Sequence, residues 1–135
     1  MTALGVEDRL AIEAGFIAYC AMIDRRGDAA GATAFFTENG VMDNSALDSP
    51  LVEGRAALTA TISSMFDAMA RLEHFLSNFL VTGHDGDVVQ SQCYVVAHGQ
   101  PNSGDAFSLR GMYRLESKRV AGEWKIARLT FQLFA

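Results

Sequence analysis

The chain has 135 residues, of which half are hydrophobic and a fifth are charged, and its formal net charge at pH 7 is −5. This length predicts a single domain over residues 1–135 with one hydrophobic core, and the composition excludes a disordered chain. Because the charge is mildly negative and no basic stripe is present, the sequence predicts no nucleic-acid partner.

Three helices are predicted in the N-terminal half. The first spans residues 7–25, has apolar residues at helical spacing and is followed by Gly27. The second spans residues 29–36 and begins after Asp28, a typical N-cap residue. A turn at 38–40, a short strand at 41–43 and a loop at 44–52 lead to the third helix, over residues 55–70.

Four strands are predicted in the C-terminal half, over residues 71–82, 87–99, 106–117 and 124–134. Turns at 83–86 and 120–123 and a polar loop at 100–105 separate them. Helices grouped before a run of strands indicate the α+β class. We therefore expect three N-terminal helices packed on a curved, mostly antiparallel sheet that encloses a pocket.

The sequence carries no signal for a membrane, a leader peptide, a metal or a cofactor. The first ten residues, MTALGVEDRL, have no basic start followed by an apolar stretch, and no run approaches the ~18 apolar residues of a membrane span. HExxH, CxxC, GxGxxG and P-loop patterns are absent. We expect a cytoplasmic protein without cofactor or metal, in which Cys20 and Cys93 are free buried thiols.

Asp24 is the first candidate site residue. It follows Cys20 by four residues and Phe16 by eight, which places its carboxylate on the apolar face of the first helix. A buried carboxylate is costly unless it has a partner. The alternative is that Asp24, in the last helical turn, reaches water.

Two histidines are further candidates. His74 shares one face of its predicted strand with Leu72, Leu76 and Asn78, so its ring nitrogens need partners; the alternative is a purely structural core histidine. His98 ends the next strand, on a face that also carries two glutamines and a tyrosine. The alternation leaves both the inward and the solvent-facing orientation of that face open.

Five stretches of the chain carry a family resemblance. In chain order they are YCAMIDRRGDAAGATAFFTENGVMD, VEGRAALTATI, LEHFLSNFLV, SQCYVVAHGQ and GEWKIARLTFQ. Their order and spacing resemble the NTF2-like superfamily, in particular its SnoaL-like branch and scytalone dehydratase, from about residue 8 to residue 132. The resemblance implies a cone-shaped NTF2-like fold with an internal pocket.

The resemblance also implies roles for three residues. Asp24 would orient and charge the imidazole of His74, His74 would act as general acid and base, and His98 would be a second polar group on a substrate oxygen. An unperturbed imidazole titrates near pH ~6.5, so it can both accept and return a proton near neutrality. Two tyrosines of scytalone dehydratase are missing, because Ile23 and Asp43 stand at the matching positions.

The missing phenols leave several substitutes open. Tyr19, Tyr94 or Tyr113 would supply a phenol from elsewhere, Asp43 would add a second carboxylate, and Asn78 lies on the predicted face of His74. We expect a cofactor-independent dehydratase, isomerase or polyketide cyclase type of enzyme that acts on a small apolar ring or polyketide-like compound. The alternative is a non-catalytic ligand-binding or accessory-subunit domain. Apolar residues on both faces of the strands further predict a homo-oligomer, dimer or trimer, through the exposed sheet face.

Overall fold

A computed structural model describes residues 4–134; residues 1–3 of the N-terminal stretch considered above, and residue 135, lie outside the described part. The helices are α1 (Val6–Arg25), α2 (Ala29–Thr33) and α3 (Arg55–Ala68). The strands are β1 (Phe36–Asp43), β2 (Val52–Glu53), β3 (Met69–Asp85), β4 (Val88–Pro101), β5 (Phe107–Val120) and β6 (Glu123–Leu133), with a short 3₁₀ turn at Ser45–Leu47. The α+β class and the order of helices before long strands are confirmed.

The six strands form one mixed, curved sheet in the order β2-β1-β6-β5-β4-β3. All neighbours are antiparallel except β1 and β6, which run parallel. The four long strands make the predicted meander, and β3 lies at the free edge of the sheet. The helices cover one face of the sheet, which is called the inner face below. Within residues 4–134, none of the helices has the length and apolar composition needed to cross a membrane.

Helix α1 is amphipathic and places five residues in the core: Ile12, Phe16, Tyr19, Cys20 and Ile23. Acidic Glu7 and Asp8 lie in its first turn, where they complement the helix dipole. Arg26, in the left-handed conformation, ends the helix and donates its backbone N–H to two carbonyls of the last turn. Ile17, the neighbour of Phe16 in the same helix, is half exposed although it is apolar.

The predicted second helix was too long and the predicted β1 too short. Helix α2 ends at Thr33, and Phe36 already pairs with Ile126 of β6 and is fully buried. Residues 38–40 belong to β1, whose register shifts between Phe36 and Val41, so a bulge replaces the predicted turn. Burial of Phe36 and pairing with β6 thus override the local helix and turn signals.

A second bulge lies in the edge strand β3. Asn78 has a left-handed backbone (φ 59°), and the pairing with β4 shifts between Ser77 and Leu80. As a consequence Phe79 packs against the core, while Leu80, which simple alternation would put on the face of His74, is exposed. The strict alternation predicted for this strand therefore holds only up to Leu76.

The cap of helix α2 allows a modest stability prediction. The Asp28 side chain accepts a hydrogen bond from the backbone N–H of Gly31 at 2.8 Å. Asp28→Ala is expected to lower the free energy of unfolding by about 0.5–2 kcal/mol, because this donor loses its partner. Urea unfolding of this variant beside Asp105→Ala, in an exposed loop, measures the effect; equal stability of the two variants would contradict the capping role.

Candidate functional site

Asp24 and His74 form the centre of the site. Asp24 lies in the last turn of α1, and His74 lies fifty residues later on β3. The Oδ1 atom of Asp24 is 2.5 Å from Nδ1 of the imidazole, and Oδ2 accepts the backbone N–H of His74 at 3.0 Å. One carboxylate therefore holds both the ring and the main chain of the edge strand.

This arrangement defines the tautomer of the ring. A carboxylate only accepts hydrogen bonds, so Nδ1 of His74 carries the proton and Nε2 of the neutral ring keeps its lone pair. Within residues 4–134, Nε2 has no hydrogen-bond partner, and it is not among the fully enclosed unpartnered atoms. The lone pair of Nε2 is therefore not used by the described part of the chain.

Both members of the pair are largely shielded from water. The His74 side chain is 11% exposed and the Asp24 side chain 27%. A hydrogen bond between such groups is stronger than at the surface, because water competes less. The pair is therefore a carboxylate–imidazole contact that water reaches only in part.

Aromatic rings line the interior beside the pair. The ring of Tyr113, on β5, lies 6.4 Å from the His74 ring at an interplanar angle of 30°. The ring centroid of Tyr113 also lies 5.3 Å from that of Phe16 on α1 and 5.6 Å from that of Phe131 on β6. Tyr19 continues this lining from Phe16 to Phe35 and Phe36.

The interior phenols and thiols are protonated at neutral pH. Burial, reinforced by neighbouring ionisable groups, raises the pKa of Tyr19 and of Tyr113 well above the ordinary phenol value. Burial likewise raises the pKa of Cys93 to about 12 and the pKa of Cys20 still further. Both cysteines are free and buried, as predicted, and neither supplies a thiolate nucleophile.

A cavity of about 70 Å³ lies between α1, β3 and β4, and neither Asp24 nor His74 is among its lining residues. It is lined by Glu13, Phe16, Ile17, Leu76, Ser77, Asn78, Phe79 and Cys93. Asn78 lines this cavity from an exposed position on β3, and Phe16 belongs both to the cavity wall and to the ring contact with Tyr113. The cavity is smaller than the ~300–1,000 Å³ of typical ligand pockets, so a ring compound requires these side chains to move apart.

His98 and Tyr94 lie on the other side of the sheet. Cys93 and Val95 face the helices, so their neighbours on β4 point to the outer face. There His98 contacts Ser108 at 2.5 Å and the exposed Phe75, while Tyr94 packs on Phe134. The placement expected for these two residues, inside the pocket, is therefore corrected.

Asp43 is also separate from the pair. Its Oδ2 atom accepts a hydrogen bond from Arg128 at 2.8 Å, and its Oδ1 atom accepts the backbone N–H of Ser45 at 3.0 Å. The hydroxyl and backbone of Ser45, together with Arg128, lower the pKa of this carboxyl. Asp43 closes the end of β1 in an ion pair and does not supply the second pocket carboxylate that was expected.

A wider, open groove of about 490 Å³ lies away from the pair. Its lining includes His98, Ser108, Phe107 and the ion-paired Arg71 and Glu73. In residues 4–134, no group of three or more His, Cys, Asp or Glu side chains is arranged to hold a metal ion. The acid–base pair and this groove are thus two different places on the molecule.

Two features of the site were not predicted from the sequence. The bond from the His74 backbone to Asp24 depends on β3 being an edge strand, whose outward N–H groups lack a neighbouring strand. The lining by Glu13 and Phe16 depends on the β3 bulge. The sequence does contain a signal for Glu13 and Phe16, because they precede Asp24 by eleven and eight residues and so lie on its side of the helix.

Comparison with known proteins gives a family and a set of similar structures. The model of a family described as the SnoaL-like domain matches residues 5–130. A candidate aromatic ring hydroxylase from Novosphingobium aromaticivorans is 32% identical, with a TM-score of 0.95, over 98% of this chain and 93% of that one. No curated protein matches the chain at a significant level.

Two further structures share the fold at lower identity. A candidate scytalone dehydratase from Novosphingobium aromaticivorans has a TM-score of 0.85 and 19% identity, over 96% of this chain and 86% of that one. A hexachlorocyclohexane dehydrochlorinase (LinA type 2) has a TM-score of 0.84 and 16% identity, over 96% and 87%. At these identities the likeness concerns the fold alone.

Proposed function

Because the chain belongs to the SnoaL-like domain family, we propose that it is a cofactor-independent acid–base enzyme of the dehydratase, isomerase or cyclase type. The observation that carries the proposal is the contact of Asp24 with both the ring and the backbone N–H of His74. If Asp24 only stabilised the fold, its partner His74 would not need to keep Nε2 without a hydrogen bond.

The two residues have different roles in this proposal. His74 is the catalytic residue: its Nε2 removes a proton from a substrate carbon and then returns it, either to another carbon or to a leaving hydroxyl. Asp24 is a positioning residue, which fixes the tautomer of His74 and stabilises the imidazolium between the two transfers. General acid–base catalysis of this kind contributes about 10²- to 10⁴-fold to a rate.

The substrate class follows from the lining. Tyr113, which stacks beside His74, packs with Phe16 and Phe131 in an aromatic cluster, so we expect a small, largely apolar ring compound or a polyketide-like compound. Two of the similar structures are named as a dehydratase and a dehydrochlorinase, which supports an elimination as the type of reaction.

Replacement of His74 tests the proposal. The probe is 2-tetralone, a bicyclic ketone with acidic hydrogens, whose exchange in D₂O is followed by NMR. His74→Gln is expected to lower the protein-catalysed exchange by about 10²-fold or more, because no proton acceptor remains. His98→Gln, on the outer face, is the matched control and is expected to exchange like the wild type. Wild-type exchange no faster than that of His74→Gln would contradict the proposal.

An accessory or ligand-binding domain is the second candidate function. It is favoured by the apolar outer face and by the 32% identity with a candidate aromatic ring hydroxylase. This candidate requires no acid–base chemistry at His74. Binding of 2-tetralone without catalysed exchange, equal in wild type and His74→Gln, would favour it.

The outer face of the sheet is the proposed contact for a second copy of the chain. Phe75, Tyr94, Phe107 and Phe134 are each more than 40% exposed, and Phe107 also lines the wide groove. Large apolar patches on a small domain mark interfaces, and copies of one chain form closed symmetric assemblies. Multi-angle light scattering is expected to give two or three times the 14.6 kDa of the chain.

A variant pair tests the interface. Phe75→Glu, on the outer face, is expected to shift the mass to that of one chain, because a charge would be buried in the contact. Leu10→Glu, on the exposed side of α1, is expected to leave the mass unchanged. A single-chain mass in the wild type, or an unchanged mass in Phe75→Glu, would contradict this interface.

A further inference from the structure

We propose that the cavity between α1, β3 and β4 binds the ammonium group of a short alkylamine. The carboxylate of Glu13 pairs with this cation, and the rings of Phe16 and Phe79 pack around it. The site is separate from the proposed catalytic pair, because neither Asp24 nor His74 lines the cavity. The molecule thus has a second small-molecule site, and its ligand is a cation, unlike the apolar substrate expected at His74.

The lining of the cavity carries charge of one sign only. Of the eight described residues that form the lining, Glu13 alone has a carboxylate, and none is a lysine or an arginine. The charge of Glu13 acts on the interior, since burial, together with this carboxylate, raises the pKa of Cys93 on the cavity wall to about 12. A cleft with charge of one sign raises the local concentration of ions of the opposite sign. A cation therefore suits this lining better than an anion or a neutral molecule.

Aromatic rings and neutral oxygens complete the wall. Phe16 lies on α1, and the bulge in β3 turns Phe79 toward the core, so that both rings line the cavity. The face of an aromatic ring attracts a cation that lies within about 6 Å of its centroid. Ser77 and Asn78 add a hydroxyl and an amide oxygen, which can accept hydrogen bonds from the N–H groups of an ammonium ion. The wall thus offers a cation both charge and hydrogen-bond acceptors.

Arg9 shows that a cation is stabilised at this position. Its guanidinium carbon lies 5.6 Å from the centroid of the Phe79 ring, and its Nη1 atom is 3.5 Å from Oε1 of Glu13. Arg9 itself does not line the cavity, so its pair with Glu13 lies at the rim. The two side chains are 43% and 32% exposed, and exposed ion pairs of this kind are weak. An ammonium ion can therefore compete with Arg9 for the carboxylate.

The size of the cavity limits the ligand to a small head group. Its volume of about 70 Å³ corresponds to about two water molecules, at ~30 Å³ each in the liquid. An ammonium group with a short carbon chain fits this space, whereas a ring does not. Ile17 and Asn78 are exposed and belong to the wall, so the cavity opens to water there and the remainder of a longer amine can stay outside. We therefore expect primary alkylammonium ions such as ethylammonium to bind.

Titration with ethylammonium chloride, followed by two-dimensional NMR of the backbone amides, tests the site. We expect saturable shifts of the signals of residues 76–79, with a Kd on the order of 1–10 mM. The ionic strength is held constant with sodium chloride, because salt alone screens exposed charges. Ethanol, which is neutral and of similar size, is expected to cause no saturable shifts at these residues.

Three substitutions on α1 are expected to change the affinity differently. Glu13→Gln keeps the size of the side chain but removes its charge, and is expected to raise the Kd for ethylammonium about 10-fold or more. Arg9→Gln is expected to lower the Kd about 2- to 5-fold, because the competing cation is lost. Glu7→Gln, exposed in the first turn of the same helix and outside the cavity, is the matched control and is expected to bind like the wild type.

Three results would overturn the ammonium site. The first is a Kd in Glu13→Gln within twofold of the wild type, since the carboxylate would then not hold the ligand. The second is equally tight binding of ethanol, since the cavity would then take any small molecule. The third is a set of shifts that grow linearly with concentration over the whole surface, which would indicate only non-specific association. None of these results involves the exchange of 2-tetralone, so they leave the proposed function of His74 untouched.

Discussion

Asp24→Asn is expected to lower the protein-catalysed proton exchange of 2-tetralone by about 10³- to 10⁴-fold with little change in fold. The amide oxygen can still accept the backbone N–H of His74. Its NH₂ group, however, would face Nδ1 and favour the tautomer that carries the proton on Nε2, which cannot act as a base. In a comparable carboxylate–histidine unit of a serine protease, this change lowers the rate by about 10⁴-fold.

Asp24→Ala shows how much Asp24 contributes to the stability of the fold, apart from its effect on the tautomer of His74. It removes both hydrogen bonds to His74 and is expected to lower the free energy of unfolding by about 1–3 kcal/mol, because a backbone donor and a ring nitrogen lose their partner. Exchange rates and urea unfolding of the two variants measure these effects, with Asp105→Asn as a control in an exposed loop. If Asp24→Asn exchanged the protons of 2-tetralone at the wild-type rate, the tautomer of His74 would not matter for the reaction.

Phe36→Ala is expected to have the largest effect on stability, about 3–5 kcal/mol. Phe36 is fully buried, and its ring meets Tyr19 of α1 edge-on at 5.4 Å. Its backbone carbonyl accepts a hydrogen bond from Arg55 of α3, so the main chain is held in place and cannot readily collapse into the space left. A cavity would therefore remain under α1.

Denaturant unfolding measures this effect, and Phe134→Ala is its matched control. Phe134 is 42% exposed on the outer face, so its loss is expected to cost less than about 1 kcal/mol in the isolated chain. For a domain with a typical stability of ~5–15 kcal/mol, the Phe36 variant is left only marginally folded. A cost for Phe36→Ala similar to that of Phe134→Ala would contradict the described core.

The sequence was a good guide to the elements with strong periodic patterns. Helix α1 and the four long strands lie where the spacing of apolar residues and the glycine-bearing turns indicate them. The residues alone did not establish that Asp24 and His74 contact each other, because each of them also had a purely structural interpretation. The family resemblance brought the two residues together, and the structure places them in contact.

The orientation of β4 could not be decided from the sequence. The strand alternates between a face with two glutamines, Tyr94 and His98 and a face with Val89, Cys93 and Val95, but the alternation alone leaves open which of the two faces the helices cover. Because the buried thiol of Cys93 faces the helices, His98 and Tyr94 point outward. For the same reason Tyr113, which is paired with Cys93, points inward.

Two bulges were equally invisible to local patterns. The turn signal at residues 38–40 is overridden because Phe36 is buried and pairs with β6. In β3, the left-handed Asn78 exchanges the orientations of Phe79 and Leu80 and opens the cavity beside α1. Such bulges depend on partners that are distant in sequence, so a single strand read alone does not reveal them.

Nitrogen-15 NMR of histidine-labelled protein tests most directly whether Asp24 holds the imidazole ready for a small molecule. We expect that neutral His74 is protonated on Nδ1 and unprotonated on Nε2, and that 2-tetralone shifts its Nε2 signal while the signals of His98 stay in place. A proton on Nε2 of the neutral ring, or a His74 signal that does not respond to 2-tetralone, would show that Asp24 does not hold the ring for a ligand.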